Sequence, residues 1–309
     1  QDYLVVLDAF FQRWHDAEGG RLRCLAGPSG PQWCSEELMT GAMEIARRYD
    51  SGFHMHAEET KLQSITCRQF FGKSSISKLE ELGLLTERTS LAHCVWIDDH
   101  DIELMAQAGV TVVHNSPCNL KLGSGFAPVP ELLERGVSVA LACDGAASND
   151  NQVMFDVMKV TGLMHTVRHP NHRKWLQARK IVEMATLSGA RVLQRRGELG
   201  VIEPGALADF SLIDLTTTAF TPLNDPFQHL VYCETGSSVR TVFVDGRPVV
   251  VDGELTTVDE EALLKEAREC WAKRVADIPP LGDGVKRFLA AQERFQQEMR
   301  TQPFDVQRY

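Results

Sequence analysis

Residues 51–60 read SGFHMHAEET: two histidines one residue apart, with two glutamates close behind. In a β-strand, side chains two residues apart point to the same face, so His54 and His56 can both address one metal ion. A second spacing overlaps the first: His56 and Glu59 form an HxxE pair, a ligand and a carboxylate at one strand end. Which spacing carries the chemistry decides how the chain folds. The question is whether His54 and His56 open a metal site, or whether this stretch is a later element of a longer machine.

The surrounding composition is that of an ordinary globular protein. The 309 residues are 43% hydrophobic and 24% charged, with no polar low-complexity tract, enough for one large barrel-type domain or two smaller ones. Net charge is −10 and the sequence pI is near 5.5. No basic run exceeds RKWLQARK, which argues against nucleic acid or an anionic membrane as partner and favours a small neutral or cationic substrate. The eight cysteines are scattered without a CxxC pair, the usage of reduced cytosolic thiols. A cytoplasmic location and the absence of a four-thiolate zinc site are therefore expected. The apolar runs stay short of a membrane span, and the first residues show neither a basic leader nor a cleavage site. Leu4, Leu7, Phe10, Phe11 and Trp14 recur at helical spacing, and no initiator Met precedes them. The chain thus reads as opening inside an amphipathic helix, as a fragment would.

Beyond that helix, short apolar runs alternate with helical patterns. Strands are expected at 21–27 (RLRCLAG), 51–57 (SGFHMHA), 90–96 (SLAHCVW), 110–116 (VTVVHNS) and 137–144 (VSVALACD). The helix following the first of them is capped at Ser35, with Glu37 in its first turn. Such alternation predicts a parallel sheet covered by helices. Two more helices are expected at about 150–168 and 173–195. From Gly200 onward, short alternating runs bounded by Gly, Pro and Asp-Gly predict an antiparallel unit with a hairpin through Asp245-Gly246. Helical patterns at 259–276 and near 285–299 close the chain, and no internal repeat is found.

The polar candidates fall at the C-terminal ends of these strands: His56 and Glu59, then His93, then the segment from His114 to Asn119, then Asp144. In parallel α/β barrels that face is where side chains from different strands converge on a substrate. A lone buried His is commonly a hydrogen-bonded core residue; four strand ends in register, the last carrying an Asp, indicate a site. Neutral imidazole and carboxylate are usual ligands of zinc or iron, which lower the pKa of water to about 7. A nearby carboxylate that is not a ligand can then shuttle protons. On this reading His56 is a ligand and Glu59 the shuttle.

The strings CSEEL, HMHAEET, LAHCVW, HNSPCNLKLGSGFAPV, DGAASNDN, MATLSGARVL and LGVIEPGALADFSLIDL occur in one order along nearly the whole chain. Through them it resembles the metal-dependent deaminases and chlorohydrolases of the amidohydrolase superfamily, particularly S-adenosylhomocysteine/methylthioadenosine deaminases and s-triazine hydrolases. The resemblance implies a (β/α)8 TIM-type barrel whose first strands are not in these residues. The barrel would occupy 1–198, the C-terminal part of a composite β-sandwich 199–258, and a helical tail 259–309. It makes HMHAEET the fifth-strand element and Asp144 the end of strand eight, with His54 a structural residue. It implies one divalent metal, zinc or iron, held by His56, Asp144 and two histidines from the first strand. Glu59, His93 and Asp144 would be catalytic, with Glu59 and Asp144 moving protons and His93 orienting water or polarising substrate.

Asn119 and Lys121 would shape the pocket wall or simply build the loop. Trp33 would stack on a flat heterocycle or plug the barrel mouth, and Ser148 and Asn149 would cap a helix. Two departures stand out. Ser29, in GPSGPQWCS, replaces the His of a substrate-contacting string in adenosine-type members, which bears on nucleoside recognition. HNSPCN replaces HNPxSN, so that Pro117 and Cys118 alter the pocket floor. The implied function is hydrolytic deamination of an amino-substituted N-heterocycle such as an adenine, guanine, pterin or s-triazine, by a homo-oligomer (dimer or tetramer) when full length. The alternatives are removal of halide or alkylamine from an s-triazine and, in another class, a catalytically silent partial chain or non-enzymatic descendant.

Overall fold

The structure, a computed structural model, describes residues 2–279 and 282–309. Its chain forms two compact units: Gln1–Leu207, Leu215–Ser237 and Phe304–Tyr309 make the first, Ala208–Asp214 and Ser238–Pro303 the second. Among the described residues no helix is long and apolar enough to cross a membrane.

Four short strands build the sheet of the first unit: β1 (Phe53–Ala57), β2 (Thr89–His93), β3 (Thr111–His114) and β4 (Ser138–Leu141). They pair in parallel in the order β1-β2-β3-β4. The register sets Ala57 opposite His93, Ala92 opposite Val113, and His114 opposite Leu141. Every residue of β2 and β3 is buried, as expected for parallel strands covered on both faces. Helices lie between the strands. In Glu36–Arg48, the Ser35 side chain accepts the Leu38 N–H at 3.2 Å, and Met39, Ala42, Met43, Ile45 and Ala46 form the buried stripe. The helix Asp99–Ala108 starts in a capping box between Asp98 and Asp101.

Four expected elements have shifted boundaries. Residues 21–27 do not form a strand; Ala26 makes one isolated parallel bridge to Phe53. The segment still runs beside β1, with Ala26 N–H donating to Gly52 O at 3.0 Å and His54 N–H to Ala26 O at 2.9 Å. Pro28 and Pro31 follow at once, and without N–H groups they cannot continue a ladder. β2 stops at His93 because His93 (φ 73°) and Cys94 (φ 47°) turn left-handed. β4 stops at Leu141, three residues short of Asp144. The helical stretch expected over 173–195 is divided into a short 3₁₀ turn, His172–Lys174, and the helices Ala178–Ala185 and Leu187–Val192. The break at Thr186 is packed so tightly against Gly200 (φ 76°) that a Cβ there would meet the Thr186 carbonyl at 2.8 Å.

In the second unit, β5 (Phe210–Ile213), β6 (Val239–Val244), β7 (Arg247–Val251) and β8 (Glu254–Leu255) form one antiparallel sheet in chain order. The β6–β7 hairpin turns at Asp245 (φ 52°) and Gly246 (φ 71°), as expected, and Asp252-Gly253 repeats the device between β7 and β8. Both central residues at positive φ define the type I′ turn whose twist matches its strands. The helices Glu260–Ala276 and Asp283–Thr301 follow.

The last residues, 304–309, pack within the first unit, a placement their sequence pattern does not announce. Arg308 donates from Nε to Val95 O at 2.9 Å and from Nη2 to Ile97 O at 2.7 Å, while Phe126 N–H donates to Arg308 O at 2.6 Å. Trp96, fully buried, meets Phe304 and Tyr309 edge-on at centroid distances of 5.7 and 5.1 Å and donates its Nε1–H to Ser124 O at 2.7 Å. The loops after β2 and β3 are joined through this one side chain. Trp96→Ala should destabilise the chain by about 3–5 kcal/mol, read as a lowered urea midpoint with an unchanged slope.

Candidate active site

Parallel pairing places the ends of β1, β2, β3 and β4 along one edge of the sheet, and the polar residues of the sequence sit there. His56 lies in β1, Glu58 and Glu59 just after it, His93 and His114 end β2 and β3, and Asp144 follows β4. Glu58 (φ 49°), His93, Cys94 and Asp144 (φ 66°) all take left-handed backbone conformations. Non-glycine residues adopt these at a cost and cluster at functional sites. Hydrogen bonds hold them: Cys94 N–H to Ala57 O at 3.0 Å, Val95 and Trp96 N–H to Glu58 O at 3.0 and 2.8 Å, and Gly145 N–H to Asp144 Oδ1 at 2.6 Å.

The two glutamates of HMHAEET have separate surroundings. The Glu58 side chain is fully buried, and its Oε1 accepts both the N–H and the hydroxyl of Ser75 at 2.7 Å, with Arg68 at 3.4 Å from Oε2. It anchors the neighbouring helix. Glu59 points to the other side, where Oε2 lies 3.9 Å from His93 Nε2 and its own N–H donates to Gln63 Oε1 at 2.8 Å.

Both site imidazoles are oriented through Nδ1. His56 Nδ1 is 2.6 Å from Ser29 O, a carbonyl that can only accept, so Nδ1 carries the proton and Nε2 keeps a free lone pair. This contact uses the Ser29 main chain, whatever its side chain. His93 Nδ1 is 2.9 Å from Asn119 Oδ1 and 3.4 Å from Asn115 Nδ2. Its Nε2 faces Glu59 Oε2 and Asp144 Oδ2, each at 3.9 Å. The two rings stack at 5.5 Å with 17° between planes. His56, Glu59, His93, Asn119 and Asp144 are therefore one group.

The remaining candidates lie elsewhere. His54 Nδ1 is bonded to Ser90 Oγ at 2.8 Å, and burial, reinforced by His56 and His93, lowers its pKa to about 4. Lys121 is ion-paired with Asp150 at 2.6 Å and donates to Ala147 O at 3.2 Å. Trp33, in the turn Pro31–Trp33, is 64% exposed. Ser148 and Asn149 are not caps: both lie inside the short helix Ala146–Asn149, where the Ser148 hydroxyl donates to Gly145 O at 3.0 Å, and the next helix starts only at Met154. The left-handed turn at Asp144 places the cap position at Gly145, which has no side chain to cap with.

Cys118, expected from the sequence to alter the pocket floor, also brings a donor atom to the site. In the helix Ser116–Lys121 it is fully buried, and one donor atom each of Glu59, His93 and Cys118 falls within 4.8 Å of the others. Burial, then a hydrogen bond to Asp144 and that carboxylate's charge, push its thiol up to about 12. Burial would raise Asp144, but the Cys118 thiol, the Gly145 N–H and the nearby His93 and His56 outweigh it and hold the carboxyl below its ordinary value. The signal was present as the Cys in HNSPCN at a strand end. His114, although at a strand end, packs against His165 at 5.5 Å, both rings buried.

The amidohydrolase family pattern matches residues 3–249, and the chain belongs to that family. The 5'-deoxyadenosine deaminase of Methanosarcina mazei is 38% identical over 269 residues, covering 87% of this chain and 62% of that protein. A zinc-bound adenosine deaminase from Xanthomonas campestris superposes with a TM-score of 0.84 at 29% identity, covering 90% of this chain and 62% of its own. For the atrazine chlorohydrolase of Arthrobacter aurescens complexed with zinc, the values are 0.81, 29%, 86% and 59%. The chain thus spans about three-fifths of the length of these proteins. Its parallel sheet and covering helices have the α/β, TIM-barrel-like architecture of that family.

The buried histidines give a measurable pH dependence. Burial, with His93 adding to it, lowers the folded-state pKa of His114 from 6.5 to about 3, so the unfolded chain takes up a proton that the folded one refuses. Its contribution is complete above pH 6.5 and is lost as pH falls towards about 3. Urea midpoints should therefore drop as pH is lowered through this window, and His114→Leu should flatten the slope.

Proposed function

We propose that the full-length polypeptide is a metal-dependent hydrolase that deaminates an amino-substituted nitrogen heterocycle of the aminopurine kind. One observation carries this reading: His93 Nε2 lies equidistant from the Glu59 and Asp144 carboxylates, beside an imidazole whose Nε2 is left free. A neutral imidazole and a carboxylate suit one divalent metal, zinc or iron. His56 and Asp144 would hold it, together with two histidines supplied from beyond these residues. When bound, the metal supplies a nucleophilic water at neutral pH.

The chain's own residues do the rest. Glu59, anchored at its backbone by Gln63, accepts the water's proton and delivers it to a ring nitrogen. His93, held by Asn119, orients the attacking oxygen or polarises the ring. Asp144 passes the second proton to the amino group, which leaves as ammonia while the ring carbon becomes a carbonyl. Asn119, bonded to His93, forms part of the pocket wall, whereas Lys121 is held by Asp150 and builds the loop; exposed Trp33 would offer a face for a flat ring if substrate reaches that turn. The deaminases among the relatives support this chemistry. The likeness to an atrazine chlorohydrolase, together with Ser29 at the His position of the adenosine-type string, favours chloride or alkylamine displacement from an s-triazine as the second reading. Scattered thiols and the acidic balance support a cytoplasmic enzyme that acts on small molecules rather than on nucleic acid or membranes, and the full-length protein is proposed to be a homodimer or homotetramer.

The full-length protein, given 5'-deoxyadenosine and a chloro-s-triazine separately, should release ammonia from the first and no chloride from the second. Chloride without ammonia would replace the leading reading with the second. Glu59→Gln should keep its metal and lose about 10²–10⁴-fold in kcat. Asp144→Ala should lose metal and turnover together; metal content near wild type would remove Asp144 from the ligand set.

A further inference from the structure

The thiol of Cys118 is not used by the chemistry above, yet it lies among the groups that perform it. Its sulfur, a carboxylate oxygen of Glu59 and a ring nitrogen of His93 all fall within 4.8 Å of one another. None of the three is a ligand in the proposed centre, where His56 and Asp144 hold the metal. We propose that Glu59, His93 and Cys118 form a second metal site, selective for zinc- and cadmium-like cations, whose occupation shuts the enzyme off. Binding stands on these three residues alone, whereas shutting off rests on the deaminase reading.

The donor set points to the class of cation. Carboxylate oxygen, imidazole nitrogen and thiolate sulfur together suit borderline and soft divalent metals, while magnesium and calcium require nearly all-oxygen shells. Distances agree with a tetrahedral ion. Ligand atoms at ~2.0–2.3 Å from zinc stand roughly 3.3–3.8 Å apart, and Glu59 Oε2 to His93 Nε2 is already 3.9 Å. Closing the set takes side-chain movements of under about 1 Å, comparable with ordinary thermal displacement. The ring is correctly presented, because the bond between His93 Nδ1 and Asn119 Oδ1 at 2.9 Å directs Nε2 towards Glu59, the partner arrangement usual for metal-bound histidines. Cys118 comes from the helix Ser116–Lys121, which also carries Asn119. One helix therefore supplies both a donor and the group that aims another donor. On binding, the cation displaces the Cys118 thiol proton to solvent and takes the sulfur as thiolate in place of its bond to Asp144, and it engages the Glu59 oxygen and the His93 nitrogen, the two groups that accept a proton and orient the attacking water.

All three donors lie within these residues, so the chain itself is the test material. Cadmium is titrated into a Cys233→Ser/Cys270→Ser background, which removes the two exposed thiols. Thiolate-to-cadmium charge-transfer absorption and bound cadmium per chain are measured. A saturable band is expected that Cys118→Ser abolishes, while Glu59→Gln and His93→Gln each raise its Kd about tenfold or more, the scale on which losing a metal's partner weakens a site. A band unaffected by Cys118→Ser overturns the site. So does one that Cys118→Ser removes but Glu59→Gln and His93→Gln leave unchanged, since a lone thiol would then be binding. Circular dichroism identifies any variant that fails to fold, and Glu59→Gln, which preserves side-chain shape, gives an independent reading. In the zinc-loaded full-length protein, cadmium should lower turnover over the range in which the band grows, reversibly by chelation. A band with undiminished turnover would overturn the inhibitory role. A full-length protein without deaminase activity but with the band intact would count against the deaminase reading and not against the second site.

Discussion

The parallel ladder between β1 and β2 is the constraint on which the site depends. It sets Ala57 opposite His93, and Cys94 N–H continues it by donating to Ala57 O at 3.0 Å. Side chains in the two strands are thereby phased, and His56 comes to lie against His93 with stacked rings. Immediately past this point both chains turn left-handed, Glu58 in one and His93 and Cys94 in the other. A one-residue slip would send each side chain to the opposite face of the sheet. Each hydrogen bond at these turns therefore contributes both to holding the strands and to aiming a catalytic candidate.

Adjacent carboxylates at the end of β1 divide two tasks by environment. Glu58 has its charge neutralised by donors from Ser75 and Arg68 in the interior, so it ties the loop to the helix Ser75–Glu81. Glu59 is left facing imidazole. A buried carboxylate with such partners is strongly destabilising to truncate, because the donors it leaves behind remain unpaired. The strained turn is thus braced by one glutamate while the next remains available for proton transfer. On the opposite wall, Asp144 is kept ionised by the Cys118 thiol and the Gly145 N–H. Asp144 is consequently held in the state in which it can bind a cation.

Much of this is visible in the one-dimensional pattern. Alternation of short apolar runs with helical stripes identifies the parallel α/β unit, Ser35 marks a helix start, and Asp245-Gly246 marks a hairpin, since each depends on neighbours in sequence. The HxxE spacing pairs His56 with Glu59 for the same reason, because a strand end and the turn after it are local, whereas it was the family resemblance that set His54 aside. Boundaries were less legible. Where β2 stops depends on the left-handed turn at His93 and Cys94, and where 21–27 loses its ladder depends on Pro28 and Pro31, which lack the N–H groups to continue it.

Three features were decided only in three dimensions. Cys118 reads as a changed letter in HNSPCN, and its proximity to Glu59 and His93 comes from the packing of a helix against two strand ends 25 to 59 residues distant in the chain. Arg308 carries nothing local to reveal that it donates to Val95 and Ile97, more than two hundred residues away. Lys121 and Ser148, plausible by position, are taken up by an ion pair with Asp150 and a bond to Gly145. The sequence by itself therefore determined the class of fold and the residue types at its strand ends, because periodicity and turn chemistry are properties of adjacent residues. Which of those residues face one another was left to the tertiary structure, because convergence is set by strand register and by packing between segments far apart along the chain.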